Sequence, residues 1–268
     1  MTGAEPASVH IDTSKPHPAR MYDWFLGGKD NYPVDQEMAE QLLALDSRGR
    51  EMARVNRAFM HRATRCLAES GMRQFLDVGT GIPTEPNLHQ IAQRSAPDAR
   101  IVYCDNDPIV LAHAAALLHS SPEGATDYIQ ADAREPATII EAAGKILDFD
   151  RPIALSLVAL LHFVADEDAY DLVNRLMEPL ASGSCLVLSH VTGDFDPEGS
   201  AKAAAMYRAR GLTLRPRSRE ETARFFADFE LIEPGVSLAA EWRPELGEPV
   251  PVAGDDPIPG WVGVARKR

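Results

Sequence analysis

Two closely spaced glycines follow a short apolar run and precede a predicted helix. The run is residues 75–78, and Gly79, Thr80 and Gly81 come directly after it. Glycine has no Cβ, so the backbone at these positions can turn sharply and approach a bound ligand. A strand-to-helix turn without any ligand would show the same glycines. The turn is therefore a candidate ligand site that needs support from elsewhere in the chain.

Two aspartates follow later apolar runs at the corresponding place. Asp105 comes after residues 101–104, and Asp132 comes after residues 128–131. An acid after the second strand of a nucleoside-binding sheet can accept hydrogen bonds from both ribose hydroxyls, worth about 1.5 to 3 kcal/mol each. Asp132 could accept from the exocyclic amine of adenine. Either acid alone could equally cap a helix or end a strand in solvent, but three such features in order favour a nucleoside site.

The residues after the second glycine distinguish between nucleoside cofactors. A dinucleotide site needs a third glycine three residues on, but Thr84 stands there between Pro83 and Glu85. The Glu85 carboxylate would repel a diphosphate. A nucleoside with a cationic amino-acid end fits better, and S-adenosylmethionine is such a molecule. Asp77 is placed to attract its ammonium group.

The elements that must position these residues alternate regularly from residue 74 onward. Five apolar runs have strand length, at 74–78, 100–104, 126–130, 153–158 and 184–189. Four helical patterns separate them, near 87–94, 108–118, 136–146 and 166–177. This alternation predicts an α/β fold with a parallel sheet and helices on both faces. Further helices at 199–210 and after Ser218, and strands at 229–232 and 261–265, complete the predicted elements.

The chain before the sheet divides into a lead and a helical cap. Residues 1–18 are polar and contain three prolines, which predicts a flexible lead. Residues 19–71 hold three helical stretches, at 19–26, 35–45 and 50–70. Five arginines on the third stretch favour a solvated helix face over an anion site: Arg50, Arg54, Arg57, Arg62 and Arg65. We expect residues 72–268 to form the cofactor-binding domain, in one structural unit with the cap.

Three segments resemble motifs I, II and III of the class I methyltransferases: DVGTG at 77–81, VYCDNDP at 102–108 and ADAR at 131–134. From about residue 18 to the end, the chain also resembles the bacterial S-adenosyl methyltransferase family, formerly catalogued as a domain of unknown function. The family's markers here are ARMYDWFLGGKDN at 19–31, FLDVGTGIPT at 75–84, DNDPIVL at 105–111 and GWVGV at 260–264. Pro83 departs from the common third glycine of motif I, and the family shares that proline.

The resemblance implies a Rossmann-like fold whose mostly parallel sheet has seven strands with the last one reversed. It implies S-adenosyl-L-methionine as the cofactor and no particular methyl acceptor. The predicted cofactor-binding residues are those on and beside the motifs: Asp77, Gly79, Thr80, Gly81, Asp105, Asn106, Asp132, Ala133, Ser156 and Val158.

Two features are candidates for contact with the acceptor. His162 follows the fourth predicted strand, and its unperturbed pKa of about 6.5 suits a general base. A histidine that is hydrogen-bonded under the helix is the more frequent alternative. His190 is a poorer candidate of the same kind. The loop after the first helix combines glycines with polar and aromatic residues, which predicts either a lid or a plain helix connection. The lid residues would be Tyr22, Lys29, Asp30, Asn31 and Tyr32.

Composition limits the classes of molecule that we expect the protein to bind. Lys and Arg total 27 against 40 Asp and Glu, and the formal charge of −13 disfavours extended nucleic-acid binding. The three cysteines lie far apart, so neither a metal site nor a disulfide framework is predicted. Without an apolar run of signal or membrane-span length, we expect a cytoplasmic protein with no membrane partner. No hydrolase or zinc-protease motif occurs.

The sequence thus predicts an S-adenosylmethionine-dependent methyltransferase acting on an O or N of a small molecule. A non-catalytic regulator that binds the same cofactor is the alternative from another class. A nicotinamide oxidoreductase is favoured only by fold. The oligomeric state stays open.

Overall fold

The structure is a computed structural model that describes residues 12–110, 113 and 119–268. Three helices precede the sheet: α1 (Pro18–Leu26), α2 (Pro33–Leu45) and α3 (Gly49–Glu69). Pro18 and Pro33 occupy first-turn positions, where a missing N–H leaves no bond unmade. Gly27 ends α1 with a φ of 86°, a left-handed conformation that glycine adopts without strain. These three helices correspond to residues 19–71, the segment that we expect to act as the cap.

The sheet within the described residues has eight strands: β1 (Gln74–Val78), β2 (Arg100–Asp105), β3 (Ala125–Gln130), β4 (Ala154–Val158), β5 (Cys185–Val191), β6 (Glu230–Leu231), β7 (Ser237–Leu238) and β8 (Gly260–Arg266). Their order is β3-β2-β1-β4-β5-β8-β6, with β7 also paired to β8. Strands β1 to β5 are parallel, and β8 runs antiparallel to β5. The Rossmann-like, mostly parallel fold with a reversed strand is confirmed.

The prediction of seven strands was wrong by one. The run at 229–232 was expected to form a single edge strand, but two separate two-residue strands pair with the same edge of β8. Pro234 has no N–H to offer a neighbouring strand, and Gly235 follows it with a φ of 82°. The chain therefore leaves the edge after Ile232 and returns to it at Ser237.

Five further helices have bounds in the structure: α4 (Leu88–Ser95), α5 (Pro136–Ala143), α6 (Asp166–Met177), α7 (Pro197–Ala209) and α8 (Arg219–Ala223). The predicted helix at 108–118 is helical at 108–110 and at 113, and its other residues lie outside the described ones. The same holds for residues 1–11 of the predicted lead. The Arg20 guanidinium donates hydrogen bonds to the carbonyls of Asp12 and Lys15, which brings the described part of the lead against the cap.

The core lies on the two faces of the sheet, and β1 shows how the sequence divides between them. Leu76 and Val78 pack into the cluster under α5 and α6, whereas Phe75 packs into the cluster under α3 and α4. Side chains alternate along a strand, so Asp77 points to the same side as Phe75, toward α3. The three cysteines are buried and free, as expected. No helix in the described ranges is long and apolar enough to cross a bilayer.

Candidate cofactor and acceptor site

One large cavity opens where the carboxyl ends of β1, β2 and β4 face the cap helices. Its volume is about 570 Å³, within the usual range for small-molecule sites. Most of the predicted site residues line it: Tyr22, Asp77, Gly79, Thr80, Gly81, Asp105, Asn106, Asp132, Ala133, Val158 and His162. Five do not: Lys29, Asp30, Asn31, Tyr32 and Ser156. The strand-end residues therefore come together, and the residues of the proposed lid, except Tyr22, do not.

The glycine turn at the end of β1 requires glycine for two reasons. Gly79 and Gly81 have φ values of 76° and 68°, in the left-handed region that side chains rarely adopt. A Cβ on Gly79 would also lie 2.7 Å from Leu160 Cδ1. The Gly79 and Thr80 amides donate to the Cys104 carbonyl at 2.8 and 3.2 Å, which ties the turn to β2. At Gly81 the nearest side-chain atom to a Cβ would be 3.8 Å away, so a ligand can approach the backbone closely there.

Asp105 ends β2 and holds the glycine turn from the other side. Its Oδ2 accepts from the Gly81 amide at 2.7 Å, and its Oδ1 accepts from the Asp107 amide at 3.0 Å. Only 7% of the residue is exposed, and burial raises the pKa of its carboxyl. Each carboxylate oxygen accepts one bond and retains capacity for another. Two hydroxyls of a bound ribose would find acceptors in fixed positions.

Asp77 is a buried carboxylate that no described residue neutralises through an ion pair. It is 9% exposed, and burial raises its pKa from 3.8 to about 6, although the Ser156 and Thr80 hydroxyls and the Arg57 charge oppose the rise. Ser156 stands opposite Asp77 in the β1–β4 register, and its buried hydroxyl makes no hydrogen bond among the described residues. A cation bound in the cavity would favour the ionised carboxylate. Asp77 therefore fits the ammonium end of an amino-acid ligand.

Arg57 is a cavity residue that the sequence analysis assigned to a solvated face. Its guanidinium donates to the carbonyls of Thr84 and Pro86, and burial lowers its pKa. It lies near enough to Asp77 for each charge to influence the other. A cation and an anion therefore face the same part of the cavity, and that pair matches both charged groups of an amino-acid end.

Asp132 follows β3 and is oriented by Arg134. Its carboxylate accepts from the Arg134 Nε at 2.9 Å and from a terminal guanidinium nitrogen at 2.6 Å, and this pairing lowers its pKa. The Arg134 amide donates to the same carboxylate at 2.9 Å. Asp132 is thus ionised and held at the rim, where a further donor such as an amine can reach it.

His162 lies in a short 3-10 turn after β4, and its imidazole has no hydrogen-bond partner among the described residues. It is 8% exposed, with Nδ1 fully buried, and burial, His190 and Arg217 hold its pKa well below the usual value. His190, in contrast, is satisfied: Nδ1 donates to the Val191 carbonyl at 2.8 Å, and Nε2 accepts from Arg217 at 2.7 Å. His162 is therefore neutral and unpartnered, whereas His190 is structural.

A family model described as S-adenosyl methyltransferase matches residues 4–268 of this chain. The chain belongs to the S-adenosyl methyltransferase family. It is a methyltransferase that uses S-adenosylmethionine, and the buried carboxylates and the side-chain-free glycine turn fit that cofactor. Among curated proteins, none matches the chain.

Solved structures agree with this membership. A DUF574-family protein from Streptomyces avermitilis is 44% identical with a TM-score of 0.91, over 97% of this chain and 100% of its own. A protein from Thermobifida fusca, provisionally named a methyltransferase, is 40% identical with a TM-score of 0.86, over 96% and 97%. Human N-acetylserotonin methyltransferase in complex with S-adenosylmethionine is 14% identical with a TM-score of 0.51, over 92% and 62%, and shows the fold alone.

The loop between α1 and α2 of the methyltransferase is organised around buried Asp23. Asp23 Oδ2 accepts from the Asp30 amide at 2.9 Å and from the Asn31 side chain at 2.8 Å. A Cβ on Gly28 would collide with the same carboxylate. Tyr32 packs with Ile82 and two residues after β2 rather than with the cavity. Asp30 also contacts His113 at 3.5 Å, so the polar residues of the loop bond within the fold, and Lys29 does not line the cavity.

Sequence reasoning missed two cavity features of the methyltransferase besides Arg57. Ala159, directly after β4, has a φ of 56° although it is not glycine, and its amide donates to Ser189 Oγ at 2.9 Å. Such strained residues cluster at functional sites. The second feature is an apolar wall made by α1, α2, α7 and the loop after α7. No local motif marks it, because its members are distant in sequence and ordinary in type.

Proposed function

We propose that this methyltransferase transfers the methyl group to an oxygen or nitrogen of a small molecule bound beside the cofactor in the same cavity. The observation that carries the proposal is the composition of the cavity. One side presents glycine backbone and buried carboxylates, and the other presents an apolar wall with one unpartnered imidazole. A site for an extended polymer would instead be an open, charged groove, and the net charge of −13 opposes a nucleic-acid partner.

The cofactor-binding roles follow from the placement of the strand ends. Gly79 and Gly81 admit the cofactor to the backbone, and Asp105 accepts from its ribose hydroxyls. Asp77 pairs with its ammonium group, and Arg57 pairs with its carboxylate. Asp132 accepts from the adenine amine. The neighbouring residues Thr80, Asn106, Ala133 and Val158 complete the lining, and Ser156 lies next to Asp77 on β4.

The protein's own contribution to the reaction is positioning and exclusion of water. S-adenosylmethionine supplies a methyl group on a sulfonium, which is already a strong electrophile, so little covalent chemistry falls to the side chains. Holding the acceptor atom in line is worth several kcal/mol of the barrier. His162 is neutral and can accept a hydrogen bond from the acceptor, which orients a lone pair toward the methyl group. A proton released there can pass to the same ring.

The proposal is tested first on the cofactor. Calorimetry of S-adenosylhomocysteine with the wild-type protein should give a measurable Kd, and Asp105→Asn should weaken it by about a hundredfold, the loss of one or two charge-assisted hydrogen bonds. Asp105→Ala should abolish measurable binding. Asp127→Ala, an exposed aspartate on β3, is the matched control and should bind normally. Unchanged affinity in both Asp105 variants would remove this residue from the site.

A thermal-shift comparison separates the cofactor classes in the same preparation. S-adenosylhomocysteine should raise Tm, because it binds the folded state only, and NAD should not. The converse result would contradict the proposed site.

A further inference from the structure

The apolar wall of the cavity is the part that the cofactor roles leave unused. Its side chains belong to one hydrophobic cluster that joins α1, α2 and α7 around buried Met21 and Tyr207. Phe163 stacks on Tyr207 with ring centroids 6.0 Å apart and an interplanar angle of 30°. The same cluster members line the cavity, with Leu212 and Leu214 completing this side. The second ligand therefore meets an aromatic and aliphatic surface.

The charged groups near this wall are already paired within the protein. Asp46 binds Arg48 at 2.8 Å, and Arg48 also donates to the Pro257 carbonyl. The Asp196 carboxylate caps α7 by accepting from the Gly199 amide at 2.9 Å. The cluster around Met21 and Tyr207 has no charged member among the described residues. Moving an ionised ligand from water into such a site is strongly unfavourable, so the wall selects an uncharged molecule.

Two polar groups interrupt the apolar surface. The His162 ring lies 4.3 Å, centroid to centroid, from Phe163, and neither of its nitrogens has a hydrogen-bond partner in the described part of the chain. The Tyr207 hydroxyl likewise makes no hydrogen bond there. Buried polar groups are normally satisfied, and a ligand that places one polar group at the edge of the aromatic surface would give the cavity-lining part of the His162 ring a partner.

We propose that the methyl acceptor is an uncharged ring compound bearing a phenolic hydroxyl, with its ring against Phe163 and Tyr207 and its hydroxyl bonded to His162. The inference rests on the proposed function and specifies its substrate. In the reaction, an oxygen lone pair forms the new bond to the methyl carbon while the carbon–sulfur bond breaks and leaves its electrons on sulfur. The hydroxyl proton passes to the His162 ring and then to solvent. A methyl ether and S-adenosylhomocysteine result.

The electrostatics of His162 favour a phenol over the other acceptors. A neutral ring offers a lone pair to a hydroxyl donor, and the low pKa makes it a weak base that needs an acidic hydroxyl. A phenol, with a pKa near ~10, is far more acidic than an aliphatic alcohol. An aliphatic amine is cationic at neutral pH and would need a carboxylate partner, which the apolar cluster around Met21 and Tyr207 does not contain.

Binding of matched probes to the protein saturated with S-adenosylhomocysteine tests the inference without turnover. We expect 2-naphthol to bind, and naphthalene-2-carboxylate and 2-naphthylmethylamine, its anionic and cationic analogues, to bind at least about tenfold more weakly. Equal binding of either charged probe, or no binding of 2-naphthol, would overturn it. Failure of the proposed function would appear separately, as absent binding of S-adenosylhomocysteine.

Two variants locate the probe. Leu214→Glu places a carboxylate on the wall and should abolish 2-naphthol binding while S-adenosylhomocysteine still binds. Leu231→Glu, at an exposed position of β6, is the matched control and should change neither. In His162→Phe the preference for 2-naphthol over naphthalene should fall by about fivefold, the value of one hydrogen bond. A preference that His162→Phe leaves unchanged would exclude His162 as the partner of the hydroxyl.

Discussion

Replacing Asp77 with asparagine should both stabilise the ligand-free protein and abolish cofactor binding. Burial raises the pKa of Asp77 from 3.8 to about 6, and a tenfold change in acidity corresponds to about 1.4 kcal/mol. The ionised carboxylate therefore costs the folded state about 3 kcal/mol near neutral pH. Asp77→Asn removes that cost, and this figure is the ceiling of the gain in the free energy of unfolding.

The same pKa shift predicts how the stability gain of Asp77→Asn depends on pH. Between about pH 4 and pH 6 the folded protein holds a proton on Asp77 that the unfolded chain has released, so stability falls as pH rises through this window. The advantage of Asp77→Asn should be full above pH 6 and disappear near pH 4. Urea unfolding monitored by circular dichroism across this range measures it.

Asp132→Asn is the matched control, because the Arg134 pairing lowers the pKa of Asp132 rather than raising it. It should not stabilise the protein at any pH. Calorimetry should show loss of S-adenosylhomocysteine binding in Asp77→Asn. Equal stability of the wild type and Asp77→Asn near neutral pH, or retained affinity, would refute the reasoning that Asp77 is a buried charge kept for the cofactor's ammonium.

Three further predictions concern Arg57, the glycine turn and Arg217. Arg57→Met should weaken the binding of S-adenosylhomocysteine by at least about tenfold in calorimetry. It should leave the binding of 5′-methylthioadenosine, which has no amino-acid end, unchanged. Exposed Arg54→Met is the control. Gly79→Ala should lower stability by about 1 to 3 kcal/mol in urea unfolding, because of its positive φ and the contact with Leu160. Arg217→Met should lower the free energy of unfolding by about 3 to 5 kcal/mol, because the buried groups that Arg217 bonds lose their hydrogen-bond donor. Thermal unfolding measures the change.

The centre of the sheet could be predicted from the sequence because β1, β2, β4 and β5 are buried on both faces. All five residues of β1 are buried, and a mostly apolar run of strand length that ends in glycines is typical of that environment. The predicted bounds of β1 were correct, and those of the other parallel strands differed by one or two residues. The split edge of the sheet was not predictable in this way, because two-residue strands have no periodicity of their own.

The arginines of α3 show what a helical pattern leaves out. The pattern indicates which residues share one face of a helix, but it does not indicate which other segments pack on that face. Arg62 was expected in solvent, yet it is 4% exposed and donates to carbonyls of Ala239 and Trp242, nearly two hundred residues away. Arg57 similarly donates to carbonyls beyond the glycine turn. Distant backbone acceptors satisfy these charges, and no local signal reveals them.

The cap and the sheet share both the core and the site, which constrains how acceptor specificity can change. Phe59 of α3 packs edge-on against buried Trp242 with ring centroids 5.5 Å apart, in the cluster that also contains Phe75 of β1. Two residues earlier on α3, Arg57 lines the cavity near Asp77. Alterations to α3 therefore disturb the cofactor site and the core together. The wall residues Leu42 on α2 and Leu214 after α7 belong to the separate cluster around Met21 and Tyr207, so we expect changes of acceptor to arise there first.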